Sequence, residues 1–192
     1  AIDHPANLYG TSKFGNEQIA AAYHNIHGLK SVGLRFFTVY GPWGRPDMAV
    51  SLFTNKIENG ETITLFNGGE MWRDFTFVDD IVQGIELSME YCSDNAAVFN
   101  LGNSKPVKLG YFLEQIEKRL GVKAKFKYQA SNAEIKETYA DVSKAHELLG
   151  YQPTTSIESG LDQFMAWYKK LDKRTRDEWA GGRFKAGRVR RL

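Results

Sequence analysis

The chain has 192 residues, of which 42% are hydrophobic and 25% charged, a balance typical of a soluble globular protein with one domain and an appendage. A single cysteine, Cys92, excludes an internal disulfide, and no apolar run approaches the roughly 20 residues of a membrane span. There is no basic-then-apolar pattern at the N-terminus either, so these features predict a cytoplasmic protein.

The first elements predict an α/β fold. Residues 7–27 have the apolar spacing of a helix that Asn7 can cap and Gly28 can end. The next stretch, KSVGLRFFTVY (residues 30–40), is almost continuously apolar, β-branched and aromatic, as in a buried strand of a parallel sheet. Helix and strand therefore have the order expected for the last part of a βαβ unit.

The following residues, up to about 171, predict a looser α+β arrangement. The pattern predicts a helix over about 48–59 and then two strands around a turn at Gly68 and Gly69. A helix, DIVQGIELSMEYC, comes next. Five further elements follow in the order strand, helix, strand, helix, helix: AAVFNLG, PVKLGYFLEQIEKRLG, KAKFKYQ, DVSKAHELLG and SIESGLDQFMAWYKKL.

Asp79 and Asp80 stand together at the predicted start of a helix. A pair of carboxylates can carry out acid–base catalysis. Acidic residues at a helix start are explained equally well by capping and by the helix dipole. We therefore expect one of the two to cap the helix.

The four histidines, His4, His24, His27 and His146, have no ligand spacing with each other or with Cys92. Zinc and similar ions need three or four such ligands brought together. No metal site is predicted.

Residues 172–192 form a basic tail with eight Lys/Arg against three Asp/Glu, whereas the rest of the chain carries 17 basic and 20 acidic residues. A short basic end with glycines is expected to be solvated and partly disordered. Binding of RNA or of an acidic partner is a weaker alternative, and nucleic acid is not expected as a ligand.

Tyr9 and Lys13 are four residues apart in the first predicted helix, so their side chains lie on one face. An ammonium held near a phenol favours the phenolate, which can then accept a proton near neutral pH. By itself a Tyr-x-x-x-Lys spacing is common by chance and indicates an ordinary exposed helix face.

Five segments that occur in one order change this interpretation: LYGTSKFGNE, GLRFFTVYGPWGRPDMA, MWRDFTFVDDIVQGI, VFNLGNS and TYADVSKA. Together they closely resemble the extended short-chain dehydrogenase/reductase family of NAD-dependent nucleotide-sugar epimerases and dehydratases, and within it the UDP-glucuronate 4-epimerases. The resemblance implies that residues 1–46 are the C-terminal remnant of an NAD-binding Rossmann domain, with the last helix and strand of its doubly wound sheet. It implies that residues 47–171 form the smaller α+β domain that binds the nucleotide-sugar, and that the tail 172–192 lies outside the family pattern.

The resemblance also implies a catalytic pair. Tyr9 would be the base that removes the proton of the sugar 4-hydroxyl as hydride passes from C4 to NAD, and Lys13 would bond the nicotinamide ribose and favour the phenolate. The 4-keto sugar would turn over and take the hydride back on its other face, so that NAD ends the isomerase reaction as it began. The backbone of Phe36 and Phe37 would lie beside the nicotinamide, with core packing as the alternative for both.

Three further residues match positions that bind the substrate in the family. Thr38 stands where many relatives have Asn, at the pyrophosphate or the sugar, although a strand threonine needs no special role. Arg45, in a Gly/Pro loop, would grip a phosphate or a uronate carboxylate. Arg73 matches the arginine that contacts the diphosphate, and its alternative is a surface salt bridge with Asp74. The implied ligand is a UDP-sugar, with UDP-glucuronate favoured.

The 192 residues depart from the family pattern in three places. They contain no G-x-G-x-x-G or G-x-x-G-x-x-G motif, which opens the helix that holds the NAD pyrophosphate. They lack the Ser/Thr that the family places before its tyrosine, and Asn132-Ala133-Glu134 replaces the usual Pro-Gly-Asp. We therefore expect this chain alone to bind NAD weakly or not at all and to be inactive.

Two other functions stay open. One is a non-catalytic module that binds a sugar nucleotide or a partner chain. The other is a 4,6-dehydratase, which is disfavoured because such enzymes carry Asn at the position of Thr38 and lack PWGRPDMA.

An incomplete sheet would expose Phe36, Phe37 and Val39. We therefore expect a homo-oligomer, or a second chain that supplies the nucleotide-binding half.

Overall fold

The computed structural model describes residues 7–91, 96–130 and 136–180. The helices are α1 Leu8–His27, α2 Ala49–Glu58, α3 Val78–Met89, α4 Leu109–Leu120, α5 Ser143–Leu149, α6 Ile157–Tyr168 and α7 Lys173–Ala180. The strands are β1 Val32–Phe36, β2 Thr38–Tyr40, β3 Thr62–Phe66, β4 Trp72–Arg73, β5 Phe75–Phe77, β6 Ala97–Leu101, β7 Val107–Lys108, β8 Lys125–Gln129 and β9 Glu137–Thr138. Four of the five strand pairings among these residues are parallel, which confirms the predicted α/β class.

Helix α1 begins and ends as its sequence predicts. The Asn7 side chain accepts the Gly10 N–H at 2.8 Å, and Gly28 ends the helix with φ 66°, a left-handed conformation that glycine adopts without a steric penalty. The described structure buries none of its residues, and Leu8 and Ile26 are 88% and 73% exposed. Local capping signals, not packing, therefore define this helix.

The stretch 30–40 forms two strands, so the prediction of one continuous strand is wrong. β1 pairs with β6, whereas β2 pairs with β5. The change of partner occurs between two residues, because the Phe37 N–H donates to Leu101 O and the Thr38 N–H donates to Asp74 O. The stretch is also less buried than predicted, because no residue of β1 is buried and Tyr40 is the one buried residue of β2. An apolar run carries no information about which strand lies beside it.

Strands lie on both sides of Gly68 and Gly69, as predicted, but they do not pair with each other. β3 pairs in parallel with β8, and β4 lies between β7 and β9. A 3₁₀ turn at Asn67–Gly69 connects β3 to the next segment instead of closing a hairpin. Partners far apart in sequence, joined by long crossovers, cannot be inferred from a turn motif.

The first part of the basic tail is ordered, contrary to prediction. Residues Lys173–Ala180 form α7, and the Trp179 side chain is only 5% exposed. The burial of Trp179 against the core stabilises α7, which the surrounding charged side chains cannot do through apolar contacts. The remainder of the tail, 181–192, lies outside the described residues.

Two apolar clusters form the core. The large cluster joins β2, β3 and β5 to α2, α4 and α6, with Phe75 and Phe112 stacked at a ring distance of 4.0 Å. The sheet cluster joins β1 and β6 to α3 and α5. Each cluster draws residues from both sides of position 46, and the division into 1–46, 47–171 and 172–192 stays a prediction. In the described parts of the chain, none of the helices is long and apolar enough to cross a membrane.

Candidate functional site

The predicted pair, Tyr9 and Lys13, occupies one face at the start of α1. Lys13 Nζ lies 5.3 Å from the centre of the Tyr9 ring, and Tyr9 is 72% exposed. A phenol this exposed, with an ammonium beside it, is accessible to a ligand from solvent. The catalytic role of the pair stays a prediction.

An ion pair orients this face of α1 toward the sheet. Glu17, four residues after Lys13, accepts two hydrogen bonds from Arg35 of β1, at 2.6 Å to Nε and 2.5 Å to Nη2. The hydrogen bond to Glu17 raises the pKa of the Arg35 guanidinium. Arg35 precedes Phe36, the last residue of β1, which is 49% exposed. The face that carries Tyr9 and Lys13 is thus anchored beside the carboxyl end of β1.

Arg45 lies in the loop that joins β2 to α2, where it forms an ion pair with Asp47. The Asp47 carboxylate accepts from Arg45 Nε at 3.0 Å and from Nη2 at 2.5 Å, and the Arg45 side chain is 74% exposed. The hydrogen bond to Asp47 raises the pKa of Arg45, with smaller contributions from the charges of Asp47 and Tyr9. The same bond lowers the pKa of Asp47.

Thr38 and Arg73 are brought together by the pairing of β2 with β5. Thr38 lies opposite Phe75, two residues beyond Arg73, and the Thr38 N–H donates to the Asp74 carbonyl at 3.1 Å. The half-buried Arg73 donates from Nη1 to the Trp72 carbonyl at 2.9 Å. Sequence reasoning treated these two residues separately, and only the strand pairing shows that they are neighbours.

Asp74 is not the surface partner of Arg73 that the alternative interpretation required. It is completely buried, and its carboxylate accepts backbone N–H groups from Asn103, Ser104 and Ala140 at 2.8, 2.9 and 2.8 Å. One carboxylate thereby joins the start of β5, the loop after β6 and the segment after β9. A buried anion with three backbone donors is well satisfied, which explains why it is tolerated in the interior.

The expectation that Asp79 or Asp80 caps α3 is wrong. The residue before the helix is Phe77, and no side chain caps it. Asp80 is 4% exposed and accepts the N–H groups of Thr154 and Thr155 at 3.0 and 3.2 Å. This carboxylate holds the segment that leads into α6. The adjacent aspartates differ because the helix turns Asp79 toward solvent and Asp80 toward another part of the chain.

A cleft of about 560 Å³ lies beside the small β7–β4–β9 sheet. Trp72 and Lys108, which are opposite each other in that sheet, both line it, whereas Arg73 does not. None of the predicted site residues lines it.

Within residues 7–91, 96–130 and 136–180, no group of three or more His, Cys, Asp or Glu side chains is placed to hold a metal ion. His4, Cys92 and the Asn132-Ala133-Glu134 segment lie outside these ranges.

Comparison with known proteins identifies the family. Residues 1–102 match the model of the NAD dependent epimerase/dehydratase family. The chain belongs to this family. NAD is therefore the cofactor expected of its relatives, and the resemblance found in the motifs is confirmed.

Three relatives show how far the similarity extends. An uncharacterized protein of Methanocaldococcus jannaschii is 49% identical over 168 residues, which cover 87% of this chain and 51% of that protein. UDP-glucuronate 4-epimerase 1 of Arabidopsis thaliana is 42% identical over 183 residues, covering 86% of this chain and 43% of that protein. The crystal structure of UDP-glucuronic acid 4-epimerase from Bacillus cereus, in complex with UDP-glucuronic acid and NAD, superposes with a TM-score of 0.79 at 34% identity and covers 85% of this chain and 53% of that one. The chain thus spans about half the length of the relatives it matches.

The residues present fit one end of NAD. The exposed Tyr9 with Lys13 beside it and the half-exposed Phe36 suit a ribose and a flat nicotinamide ring. Lys13 can donate to ribose hydroxyls, which are good acceptors. The pyrophosphate end needs backbone N–H groups at a glycine-rich helix start, a motif that the 192 residues do not contain.

Proposed function

We propose that the chain is the substrate-binding, Tyr/Lys-bearing part of an NAD-dependent UDP-sugar 4-epimerase, with UDP-glucuronate as the favoured substrate. The observation that carries the proposal is the exposed Tyr9–Lys13 pair. It places a proton acceptor and a positive charge next to each other on an accessible surface. The relatives named UDP-glucuronate 4-epimerase support the choice of sugar.

Tyr9 is the proton acceptor in this proposal. Its hydroxyl oxygen takes the proton of the sugar 4-hydroxyl and gives a proton back when the alcohol re-forms at C4. Lys13, 5.3 Å from the ring centre, places a positive charge beside the phenol. The chemistry that bound NAD would supply is the reversible uptake of hydride from C4 of the sugar.

Arg45 and Arg73 recognise the anionic parts of the substrate. Asp47 holds the Arg45 guanidinium in one orientation, and its exposure leaves it accessible to a carboxylate or phosphate. Arg73 lies one strand away from Thr38, at the edge where β2 and β5 meet, and contributes a second positive charge. The two arginines give a dianionic diphosphate and a uronate separate partners.

The experiment joins the chain to the nucleotide-binding portion of the Bacillus cereus enzyme and follows conversion of UDP-glucuronic acid to its 4-epimer. Tyr9→Phe should lower kcat by roughly 10²–10⁴-fold, the usual contribution of a general base, with an unchanged melting temperature. Tyr23→Phe is the matched control, because Tyr23 is an exposed tyrosine of the same helix at 52%. If Tyr9→Phe is as active as Tyr23→Phe, the proposal is wrong.

A second candidate is a module that assembles with a partner chain and performs no chemistry. The observation that favours it is the exposed apolar side of α1, where Leu8, Ile19 and Ile26 are 88%, 59% and 73% exposed. Exposed apolar side chains in this number favour association. Sedimentation shows whether the chain associates and whether an Ile19→Glu/Ile26→Glu variant no longer does. Only the assembly module needs this association in order to function.

A further inference from the structure

Three of the four tryptophans form a continuous contact from the Arg45 loop to the C-terminal helix. The ring of Trp43, in that loop, lies 5.3 Å from Trp167 of α6 at an angle of 61°. Trp167 lies in turn 5.6 Å from Trp179 of α7 at 77°. Edge-to-face arrangements at these distances are favourable for aromatic pairs. The stack therefore connects α7 physically to the loop that carries Arg45.

The Arg45 loop, residues 41–47, needs such a contact. Trp43 has φ 62°, a left-handed conformation that a bulky residue rarely adopts. Two backbone hydrogen bonds shape the loop, from Gly44 N to Gly41 O at 3.2 Å and from Met48 N to Arg45 O at 3.1 Å. A strained residue of this kind persists when its surroundings hold it in place. Trp167 is the ring on which Trp43 rests.

Trp179 packs against Trp167 in an edge-to-face arrangement. The other residues of α7 whose side chains the structure describes are polar or charged, so Trp179 is the large apolar side chain by which this helix is buried. Arg176 fixes the same helix through a 2.7 Å ion pair with Glu58 and lies 5.1 Å above the Tyr168 ring. Without the Trp179 ring, Trp167 would lose one of its aromatic packing partners.

We propose that Trp179 is a positioning residue for substrate recognition: through Trp167 and Trp43 it holds the loop 41–47 so that Arg45 is presented to the anionic sugar. The proposal rests on the proposed function for the role of Arg45. It assigns α7 to the binding machinery.

Hydrogen exchange of the 192-residue chain tests the mechanical part. Trp179→Leu keeps an apolar side chain but loses the ring contact, whereas Trp179→Phe retains an aromatic ring. We expect amides of the Arg45 loop, Gly44 and Met48 among them, to exchange roughly tenfold faster in Trp179→Leu and near the original rate in Trp179→Phe. Arg174→Ala is the control within α7, because Arg174 is exposed and pairs only locally, with Glu178. Loop exchange that does not respond to Trp179→Leu overturns the proposal.

Binding of UDP-glucuronic acid and UDP-glucose, measured by calorimetry on the same proteins, tests the recognition part. Trp179→Leu should weaken the binding of UDP-glucuronic acid roughly three- to tenfold more than the binding of UDP-glucose. The affinity should recover in Trp179→Phe. In an Arg45→Ala background the same change should have no further effect, because both substitutions act on one contact. An equal loss in both backgrounds would mean general destabilisation and would refute the recognition role.

The two measurements separate this inference from the proposed function. If the unaltered chain binds neither sugar nucleotide, the proposed function fails. A loop that still responds to Trp179→Leu in that case supports its positioning by the tryptophan stack. If binding is normal and the loop does not respond, the proposed function stands and the role of Trp179 is refuted.

Discussion

Helices α1 and α6 begin in the same way, with a side-chain cap, and have different surroundings. Asn7 caps α1 and Ser156 caps α6, each by accepting a backbone N–H three residues on. The described structure buries none of the 20 residues of α1, whereas six of the 12 residues of α6 are buried in or beside the large cluster. The difference shows that capping starts a helix and that packing decides its stability. The helix that carries Tyr9 and Lys13 is the one that packing leaves uncovered.

Alkaline pH should give the largest difference between α1 and the core around α6, because it should destabilise the core. Burial raises the pKa of Tyr40, Tyr151 and Tyr168 above the ordinary value of 10.0, most strongly through desolvation of the phenolate. These groups stay protonated in the folded chain and ionise in the unfolded chain, so the stability present below pH 10 is lost as the pH rises above it. We expect cooperative unfolding of the core, followed by near-ultraviolet circular dichroism. Tyr168→Phe should reduce the alkaline sensitivity, and a stability that is constant above about pH 10 would contradict the prediction.

A pair of truncations gives the next largest difference. Phe112→Ala removes a completely buried ring stacked on Phe75 and should cost about 3–5 kcal/mol of unfolding free energy. Ile26→Ala, on the exposed side of α1, should change it by no more than about 0.5 kcal/mol. Urea denaturation of both variants measures this. A comparable cost for Ile26→Ala would show that α1 is covered in solution, for example by a second copy.

Two helix glycines sharpen the comparison at a smaller scale. Gly160→Ala in α6 would push a methyl group against the Tyr40 hydroxyl and to within 2.9 Å of the Phe77 ring, so we expect a loss of about 1–3 kcal/mol. Gly15→Ala in α1 meets no atom within 4 Å and should gain up to about 1 kcal/mol from helix propensity. The two substitutions should change the stability in opposite directions, and thermal denaturation of both variants measures these changes. Stabilisation by Gly160→Ala would mean that Tyr40 can move aside.

The smallest effect concerns the ion pair that fastens α1 to β1. Glu17→Gln weakens the two bonds to Arg35 and should lower the opening free energy of α1 by about 1 kcal/mol. Amide hydrogen exchange resolves this change residue by residue, and the amides of α6 serve as the internal control. Equal acceleration in both helices would indicate global unfolding instead of local release.

Local signals predicted much of the candidate site. The spacing of Tyr9 and Lys13 put them on one helix face, and the structure places the ammonium beside the ring. Asn7 and Gly28 defined the helix that carries them. Asp47 was missed, although its position two residues after Arg45 is a local signal that could have suggested the pair. The roles of these residues in catalysis stay predictions.

Buried carboxylates were the least predictable feature. In the sequence Asp74 is an acid next to an arginine, and Asp80 is an acid at a helix start. Their actual partners are backbone N–H groups about 29 to 75 residues away, at Asn103, Ala140, Thr154 and Thr155 among others. A backbone N–H has the same chemistry at every residue except proline, so no pattern in the sequence marks it as a partner.

The sequence by itself determined the family, the α/β class, the course of α1 and the Tyr9–Lys13 pair, because each depends on short-range spacing or on motifs in a fixed order. Tertiary structure alone decided the change of strand partner between Phe37 and Thr38 and the burial of Trp179. These features depend on which surfaces meet after long crossovers, and apolar side chains pack against any complementary surface. Hydrophobic burial is non-directional, so composition can predict that a residue is buried without predicting its neighbour.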